Sequence, residues 1–330
     1  MLPRVSICTV THNAVADLPD YFAALLSLTH RPIDVIIADC ASTDASVEVA
    51  REFSGGPLSV HVLALGENRG FAGGMNAAIA ASDAPFVLSL NADARPEPAF
   101  LTHLMARMDE PGWRVGAATG RLLRPLRSDG TRLLDACGMR LVPTWRHLDR
   151  ASGKLEGGQF ARAERVFGGT GAATLLRREA LLDTAVDGDV FDPEFFTFRE
   201  DAELCFRLRE RGWEVIYEPL ARCEHRRFNV PERRSTMPAW ANMHSLKNRY
   251  LLRAYHQTPR NFALTFLPTL WRDSLALGAV IFRERSSLPA YRWLWTNRRR
   301  IRARRAAIQA RRTIAARELD PWFFRSGAPL

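Results

Sequence analysis

The chain has 330 residues, 47% hydrophobic and 25% charged, with 46 Lys and Arg against 36 Asp and Glu for a net charge of +10. That is the composition of a globular protein with room for a sizeable core in one large or two ordinary domains. Cys8, Cys40, Cys137, Cys205 and Cys223 are scattered without a CxxC pair, which excludes a disulfide framework and a structural zinc site and makes them small buried residues.

Residues 4–10 (RVSICTV) read as a buried strand that THN breaks. No signal-peptide pattern precedes it, so a reducing, cytoplasmic location is expected. Leu18, Phe22, Leu25 and Leu28 carry helical spacing across residues 15–28. Residues 33–38 (IDVIIA) form a second strand closed by Asp39, and Ser42-Thr43-Asp44 looks like the cap of a helix holding Val47, Val49 and Phe53. A third strand over 60–65, a helix over 72–82 and a fourth strand over 85–90 follow, the last ending in Asn91-Ala92-Asp93. Strands alternating with helices of this length predict an α/β, doubly wound, mostly parallel sheet with right-handed connections. Frequent Gly, Arg and Pro over 112–165 predict short strands and a variable loop. After the glycine-rich stretch 166–176, the pattern gives a short helix from 177, a helix over 200–211 that Gly212 ends, and a last short strand over 214–217. Trp213 reads as a core residue, the alternative being one that flanks a bound substrate. From about 240 onward the periodicity is that of long helices rich in aromatics and arginine.

Three acidic clusters border the strand ends: Asp39 to Asp44, Asn91 to Asp93, and Glu200-Asp201. Open α/β sheets bind ligands there, and carboxylates at that place in so basic a chain point to a divalent metal and a phosphate-bearing substrate. A lone Asp93 could equally be a turn residue. Phe191, Phe195, Phe196 and Phe198 precede Glu200-Asp201 and would desolvate a carboxylate, raising its pKa as suits a general base; an acidic first helical turn is the alternative. The stretch GENRGFAGGMNAAI (66–79) lets backbone approach a ligand and offers helix N–H groups to phosphate, or else only packs helix on strand. It is neither a Walker A loop nor a dinucleotide fingerprint.

The ordered set ICTVTHN, IIADCASTD, ENRGFAGGMN, LNAD, GGTGAATLLRREAL and FDPEFFTFREDAELCFRLRERGWEVIYEP, with the later His225, resembles the family-2 inverting glycosyltransferases of the GT-A fold, in particular their bacterial rhamnosyltransferase-like branch. The likeness spans about residues 4–226, and Lys247-Asn248-Arg249-Tyr250 with the basic tail is similar to that branch too. It implies a GT-A domain over 1–235, a Rossmann-like, doubly wound, mostly parallel sheet, followed by a helical, basic C-terminal extension over 236–330. It also implies roles. Thr11 and Asn13 would lie by the nucleotide, Asp39 would hold the base or ribose, and Asn68, Arg69, Gly70 and Asn76 would line the cleft. Asn91-Ala92-Asp93 stands for the family's DxD, with Asn91 in place of its first acid and Asp93 as ligand to Mg2+ or Mn2+. Asp201 matches the catalytic base with Glu200 beside it, and His225 a further metal or diphosphate contact. Arg207 would contact the diphosphate or else pair with Glu203 at i,i+4. The implied donor is dTDP-L-rhamnose, or another UDP- or dTDP-sugar, and the implied acceptor a saccharide or polyprenyl-linked glycan in cell-surface polysaccharide assembly.

Residues 283–317 hold twelve arginines against the single acid Glu284, flanked by Trp293-Leu294-Trp295 and Trp322-Phe323-Phe324. A basic, aromatic-flanked helix suits an anionic membrane surface, here the inner face of the cell membrane, or a solvated helix packed by one stripe. No nucleic-acid partner is expected. Residues 262–282 are apolar, but Pro268, Arg272 and Asp273 argue against a clean membrane span. The aromatic-rich helices could pair two chains. Two rival readings are a sugar-nucleotide pyrophosphorylase, whose Lys-containing glycine-rich N-terminal loop is missing, and a non-catalytic membrane-associated scaffold.

Overall fold

The computed structural model describes residues 2–227 and 238–330. The boundary expected at 235/236 falls outside them. Strands β1 (Val5–Thr11), β2 (Ile33–Asp39), β3 (Ser59–Ala64) and β4 (Phe86–Leu90) alternate with helices α1 (Leu18–Ser27), α2 (Ser46–Glu52) and α3 (Gly70–Ala80). Then come β5 (Ala94–Pro96), α4 (Phe100–Arg107), β6 (Val115–Leu123), β7 (Leu134–Ala136), and the hairpin β8 (Met139–Val142) and β9 (Arg146–Asp149). The sheet is completed by β10 (Glu164–Val166), β11 (Ala173–Arg177) and β12 (Glu214–His225), with α5 (Arg178–Thr184) and α6 (Glu200–Glu210) between the last two. Four helices end the chain: α7 (Ala239–His256), α8 (Pro259–Phe282), α9 (Leu288–Thr296) and α10 (Arg298–Ala310).

The main sheet runs β10-β12-β6-β11-β4-β1-β2-β3. Its long strands β1, β2, β3, β4, β6 and β12 point one way, and β11 enters antiparallel between β4 and β6. Helices cover both faces, so β1, β4 and β6 are buried almost throughout and read as continuous apolar runs rather than alternating ones. Leu18, Phe22 and Leu25 of α1 with Leu101 and Leu104 of α4 fill one face; Met75 and Ile79 of α3 with Leu204 and Leu208 of α6 fill the other. A third cluster joins Trp145, Phe167 and Phe206 to Leu251 and Tyr255 of α7 and to Trp322 and Phe323, so the C-terminal helices share a core with the α/β layers. Trp213 is buried, as its setting in the sequence predicts. All five cysteines are buried and free.

The sequence places the last strand at 214–217, but β12 continues to His225. Its outer half pairs antiparallel with β5, in a register that sets His225 opposite Ala94 and therefore beside Asp93. Two remote sequence clusters meet by that pairing.

Candidate active site

A cleft of about 670 Å3 opens at the C-terminal ends of β1 and β4 and the N-terminus of α6. Of the residues expected at the site, Asn13, Asn68, Gly70 and Asn91 line it on the β1–α3 side, and Asp93, Glu200, Asp201 and His225 line it opposite. The other five do not. Thr11 and Asp39 face each other across β1 and β2, and Thr11 Oγ1 donates to Asp39 Oδ1 at 2.9 Å. Asp39 also accepts from the Ser42 amide (2.9 Å) and hydroxyl (2.5 Å), so this buried carboxylate holds the loop behind the cleft wall. Arg69 pairs with Glu67 at 2.9 Å on the surface. Asn76 ties α3 to the loop before α6 through Phe191, donating to its carbonyl (2.7 Å) and accepting from its amide (2.8 Å).

Of the two alternatives for Arg207, the structure takes the pairing with Glu203. Its guanidinium is 2% exposed, bonds Glu203 at 2.6–3.0 Å, and donates to the carbonyls of Thr184 (2.6 Å) and Val190 (2.5 Å). Those bonds turn the guanidinium into the protein interior, and Arg207 is not among the residues lining the cleft.

Gly70 shows why the glycine-rich turn is glycine-rich. It adopts a φ of +64°, and a Cβ there would sit 2.3 Å from the Phe196 carbonyl oxygen. The same carbonyl accepts from the Ala72 amide at 3.1 Å, so the turn clasps the aromatic loop that leads into α6. In that loop Phe196, Phe198 and Arg199 all lie in the left-handed region, a concentration of backbone strain typical of functional sites. Asn248 of α7 holds it by donating to the carbonyls of Phe195, Thr197 and Phe198 at 2.7–2.8 Å.

Asp201 sits at the first turn of α6 with Oδ2 accepting from the Gly171 amide (3.1 Å) and Oδ1 from the Ala202 amide (2.7 Å). Burial raises its pKa above the ordinary carboxylate range, against the pull of the Gly171 amide. Glu200 is raised well above that range by burial and by Asp201, and its Oε2 finds no hydrogen-bond partner among the described residues. The two acids are therefore unequal. Both are raised, Glu200 the further, and the two amide donors to Asp201 favour its charged form where Glu200 Oε2 has none.

Across the cleft, His225 Nε2 lies 3.3 Å from Asp93 Oδ1 and its Nδ1 lies 2.8 Å from Asp135 Oδ2. Burial works against the imidazolium, but hydrogen bonds to Asp135 and Asp93 push its pKa up to about 9. Arg227 bridges Asp135 (3.0 Å) and Asp149 (2.6 Å) behind it. Asp135, His147, Asp149, Arg199 and Arg227 carry no signal in the sequence, because the irregular region 112–165 and the turns around it bring them in without a pattern. A divalent cation bound here would meet the Asp93 carboxylate and, once His225 has lost its proton, an imidazole whose other ring nitrogen is held by Asp135. Among the described residues no group of three or more His, Cys, Asp or Glu is placed to hold a metal ion.

A mostly parallel sheet with an acidic cleft at its strand ends and two carboxylates opening α6 has the architecture of the GT-A fold. Residues 6–184, more than half of the chain, match the glycosyl transferase family 2 domain. The protein belongs to that family and is a glycosyltransferase. It is 29% identical over 248 residues to the N-acetylglucosaminyl-diphospho-decaprenol L-rhamnosyltransferase of Mycobacterium tuberculosis, covering 68% of this chain and 76% of that one. Similarity to the poly-beta-1,6-N-acetyl-D-glucosamine synthase of Staphylococcus aureus is 22% over 233 residues, 67% of this chain and 50% of the synthase. Among solved structures, the mannosyltransferase PcManGT of Pyrobaculum calidifontis, in complex with GDP-Man and Mn2+, shares the fold with a TM-score of 0.56 at 18% identity, over 98% of this chain and 89% of that one.

Proposed function

We propose that the protein transfers L-rhamnose from dTDP-L-rhamnose to a saccharide carried on a lipid diphosphate, in one inverting displacement. The observation that carries the chemistry is the unequal Glu200–Asp201 pair in the cleft; the choice of sugar rests on the similarity to the mycobacterial rhamnosyltransferase. Asp201 takes the proton of the acceptor hydroxyl as that oxygen attacks the anomeric carbon from the face opposite the nucleotide. A single displacement needs one base and no carboxylate nucleophile. Glu200, holding its proton, keeps a second negative charge away from the base. Asn13 and Asn68 supply polar contacts to the nucleotide. Asp93 and His225 would hold Mg2+ or Mn2+, which when bound would neutralise the departing diphosphate.

Calorimetry with a panel of sugar nucleotides, with and without Mn2+, tests this reading. Metal-dependent binding of dTDP-L-rhamnose in preference to UDP-sugars is expected; preference for a UDP-sugar would discard rhamnose, and no binding at all would sink the transferase assignment to this cleft. Asp93→Ala should weaken the metal-dependent component more than about tenfold, since it removes one of the two ligands.

The same reading puts the protein on the cytoplasmic membrane face, and α8 supports that. Its inward positions are mostly polar: Asn261, Thr265 and Thr269 are buried, with Val280 the apolar one near the C-terminal end, and Asp273 pairs with Arg249 (2.7 Å) and Arg253 (2.5 Å). Outward it shows Phe262, Phe266, Leu267, Leu270, Trp271 and Phe282, with Leu267 72% and Phe282 82% exposed. That is the inverse of a soluble surface helix. No helix among the described residues is long and apolar enough to cross a membrane. Arg283, Arg285, Arg292, Arg298, Arg299 and Arg302 are exposed along the elements that follow, whereas Arg304, Arg305 and Arg312 turn inward onto carbonyls and carboxylates. An apolar face beside a cationic rim matches an anionic bilayer, and a second copy would bring two such rims together. Leu267→Glu with Trp271→Glu should cut binding to phosphatidylglycerol vesicles more than about tenfold, each large side chain being worth about 1.5–3 kcal/mol when buried. Cosedimentation measures it, and unchanged binding removes α8 from the membrane contact.

A further inference from the structure

A second cavity, of about 480 Å3, opens beside the catalytic cleft and shares with it the wall formed by His147, Asp149, Arg199 and Arg227. The β8–β9 hairpin and the turn after it supply its cations: Arg140, Arg146, Arg150 and Lys154. The carboxylates near it are already engaged. Asp149 pairs with Arg227 (2.6 Å) and Glu164 with Arg150 (2.6 Å). Arg140 and Lys154 are exposed and have no carboxylate partner among the described residues. Arg150 is 3% exposed; its Nε donates to the Cys137 carbonyl at 2.7 Å, yet its Nη2 is buried with no hydrogen-bond partner. Arg150 lies over the Phe160 and Tyr217 rings, so its charge is incompletely neutralised at the cavity floor and adds to the field an anion there would meet. The positive field is felt nearby as well. Burial, then Arg199, Arg146 and Arg227, holds the pKa of His147 well below its ordinary value.

We propose that this cavity is an anion site of the acceptor, taking the diphosphate that links the acceptor saccharide to its lipid. This rests on the lipid-linked reading above. The placement suits it. Asp201 lines the cleft on the other side of that shared wall, so a saccharide reaching from the cavity into the cleft would bring its hydroxyl to the base's side. The hairpin is also fixed to α8, since Trp145 Nε1 donates to Thr265 Oγ1 (3.0 Å) and Thr269 Oγ1 donates to the Pro143 carbonyl (3.1 Å). A lipid lying against the apolar face of α8 would thus have its diphosphate held by the hairpin seated on that same helix.

The donor also carries a diphosphate, and the test separates the two. Farnesyl diphosphate, a short prenyl diphosphate, is titrated into the full chain by calorimetry, alone and with saturating dTDP and Mn2+. Binding that persists under dTDP, and that Arg140→Ala with Lys154→Ala weakens at least about tenfold while dTDP affinity moves less than about twofold, is the expected result. Both changed side chains are exposed, and an unaltered melting temperature confirms folding of the variant. No binding, competition by dTDP, or undiminished binding in the double variant overturns the proposal. A chain that binds sugar nucleotide but fails these tests loses this site alone; one that passes them but binds no sugar nucleotide keeps the site and loses the transferase reading of the cleft.

Discussion

Asp201→Asn is expected to lower kcat by about 10²–10⁴-fold, the usual contribution of a positioned general base, while affinity for the sugar nucleotide stays within about twofold. The carboxylate is held by the amides of Gly171 and Ala202, so an Asn must turn its NH2 toward one of two N–H donors and sits less firmly. Asp201→Glu keeps the charge but moves it by one methylene, which a near-attack geometry also tolerates poorly. Glu200→Gln should cost less than about tenfold, because it replaces a proton-bearing acid with a neutral amide of similar shape. The pH profile separates the two residues. As the proposed base Asp201 works ionised, and burial raises its pKa, so kcat should climb with pH and reach its plateau at a higher pH than an ordinary aspartate gives, and the climb should vanish in Asp201→Asn. Stability has the opposite sign. A group whose pKa is raised on folding binds more protons in the folded state, so its stabilising share is present at low pH and is lost as pH rises through the raised value. Glu200→Gln should therefore melt no lower than the parent at neutral pH, whereas in Asp201→Asn the loss of one amide hydrogen bond offsets that gain. Full kcat in Asp201→Asn would remove the base from this position.

The sequence pattern was a good guide where one element decides an outcome and a poor one where two remote segments meet. The alternation of strands and helices up to Asp93 follows directly from apolar runs and caps, and the elements stand within a few residues of their expected limits. Strand β12 reads as four residues because Pro219 interrupts it; a register shift between Glu218 and Arg222 absorbs the break, and the strand goes on to His225. Strand β6 hides for another reason. Gly116 and Gly120 weaken its pattern, yet Gly120 is forced by packing, since a Cβ there would lie 2.3 Å from the Ala221 carbonyl oxygen, and one on Gly116 would crowd Trp213 at 3.0 Å. Asp93, Glu200, Asp201 and His225 are legible as chemistry-bearing residues, whereas Asp135, Asp149 and Arg227 are not, because only the folded hairpin region brings them to the back of the cleft. The arginine run divides too. Hydropathy cannot tell Arg304, clamped against Asp187 and the Val186 carbonyl, from exposed Arg302 two residues earlier.

Arg207→Ala should destabilise the fold by about 3–5 kcal/mol, the usual cost of removing one partner from a buried ion pair. Glu203, with no exposure, would keep only His256, whose Nε2 lies 3.4 Å from it, and two backbone carbonyls would lose their donor. The loss would spread, because His256 Nδ1 also contacts Glu210 at 3.1 Å and Glu210 bonds Arg312, so one network ties α6 to α7 and to the end of α10. Its pH dependence follows from two opposed shifts. Burial disfavours the Glu203 carboxylate, but Arg207 and His256 pull its pKa down to about 2, so that group stabilises the fold above the ordinary Glu value of 4.5 and the benefit is lost as pH falls toward 2. His256 is raised against its own burial, by Glu210 first and Glu203 next, so its contribution is complete below 6.5 and fades as pH rises through the raised value. Without Arg207 the Glu203 pKa should rise, and the variant should lose stability at a higher pH on acidification than the parent does. Thermal melts across pH measure both effects. The same variant decides the fate of the diphosphate reading: at a temperature where it is folded, sugar-nucleotide affinity should stay within about twofold, whereas loss of a direct phosphate contact would cost about 1.5–3 kcal/mol, roughly ten- to a hundredfold in affinity.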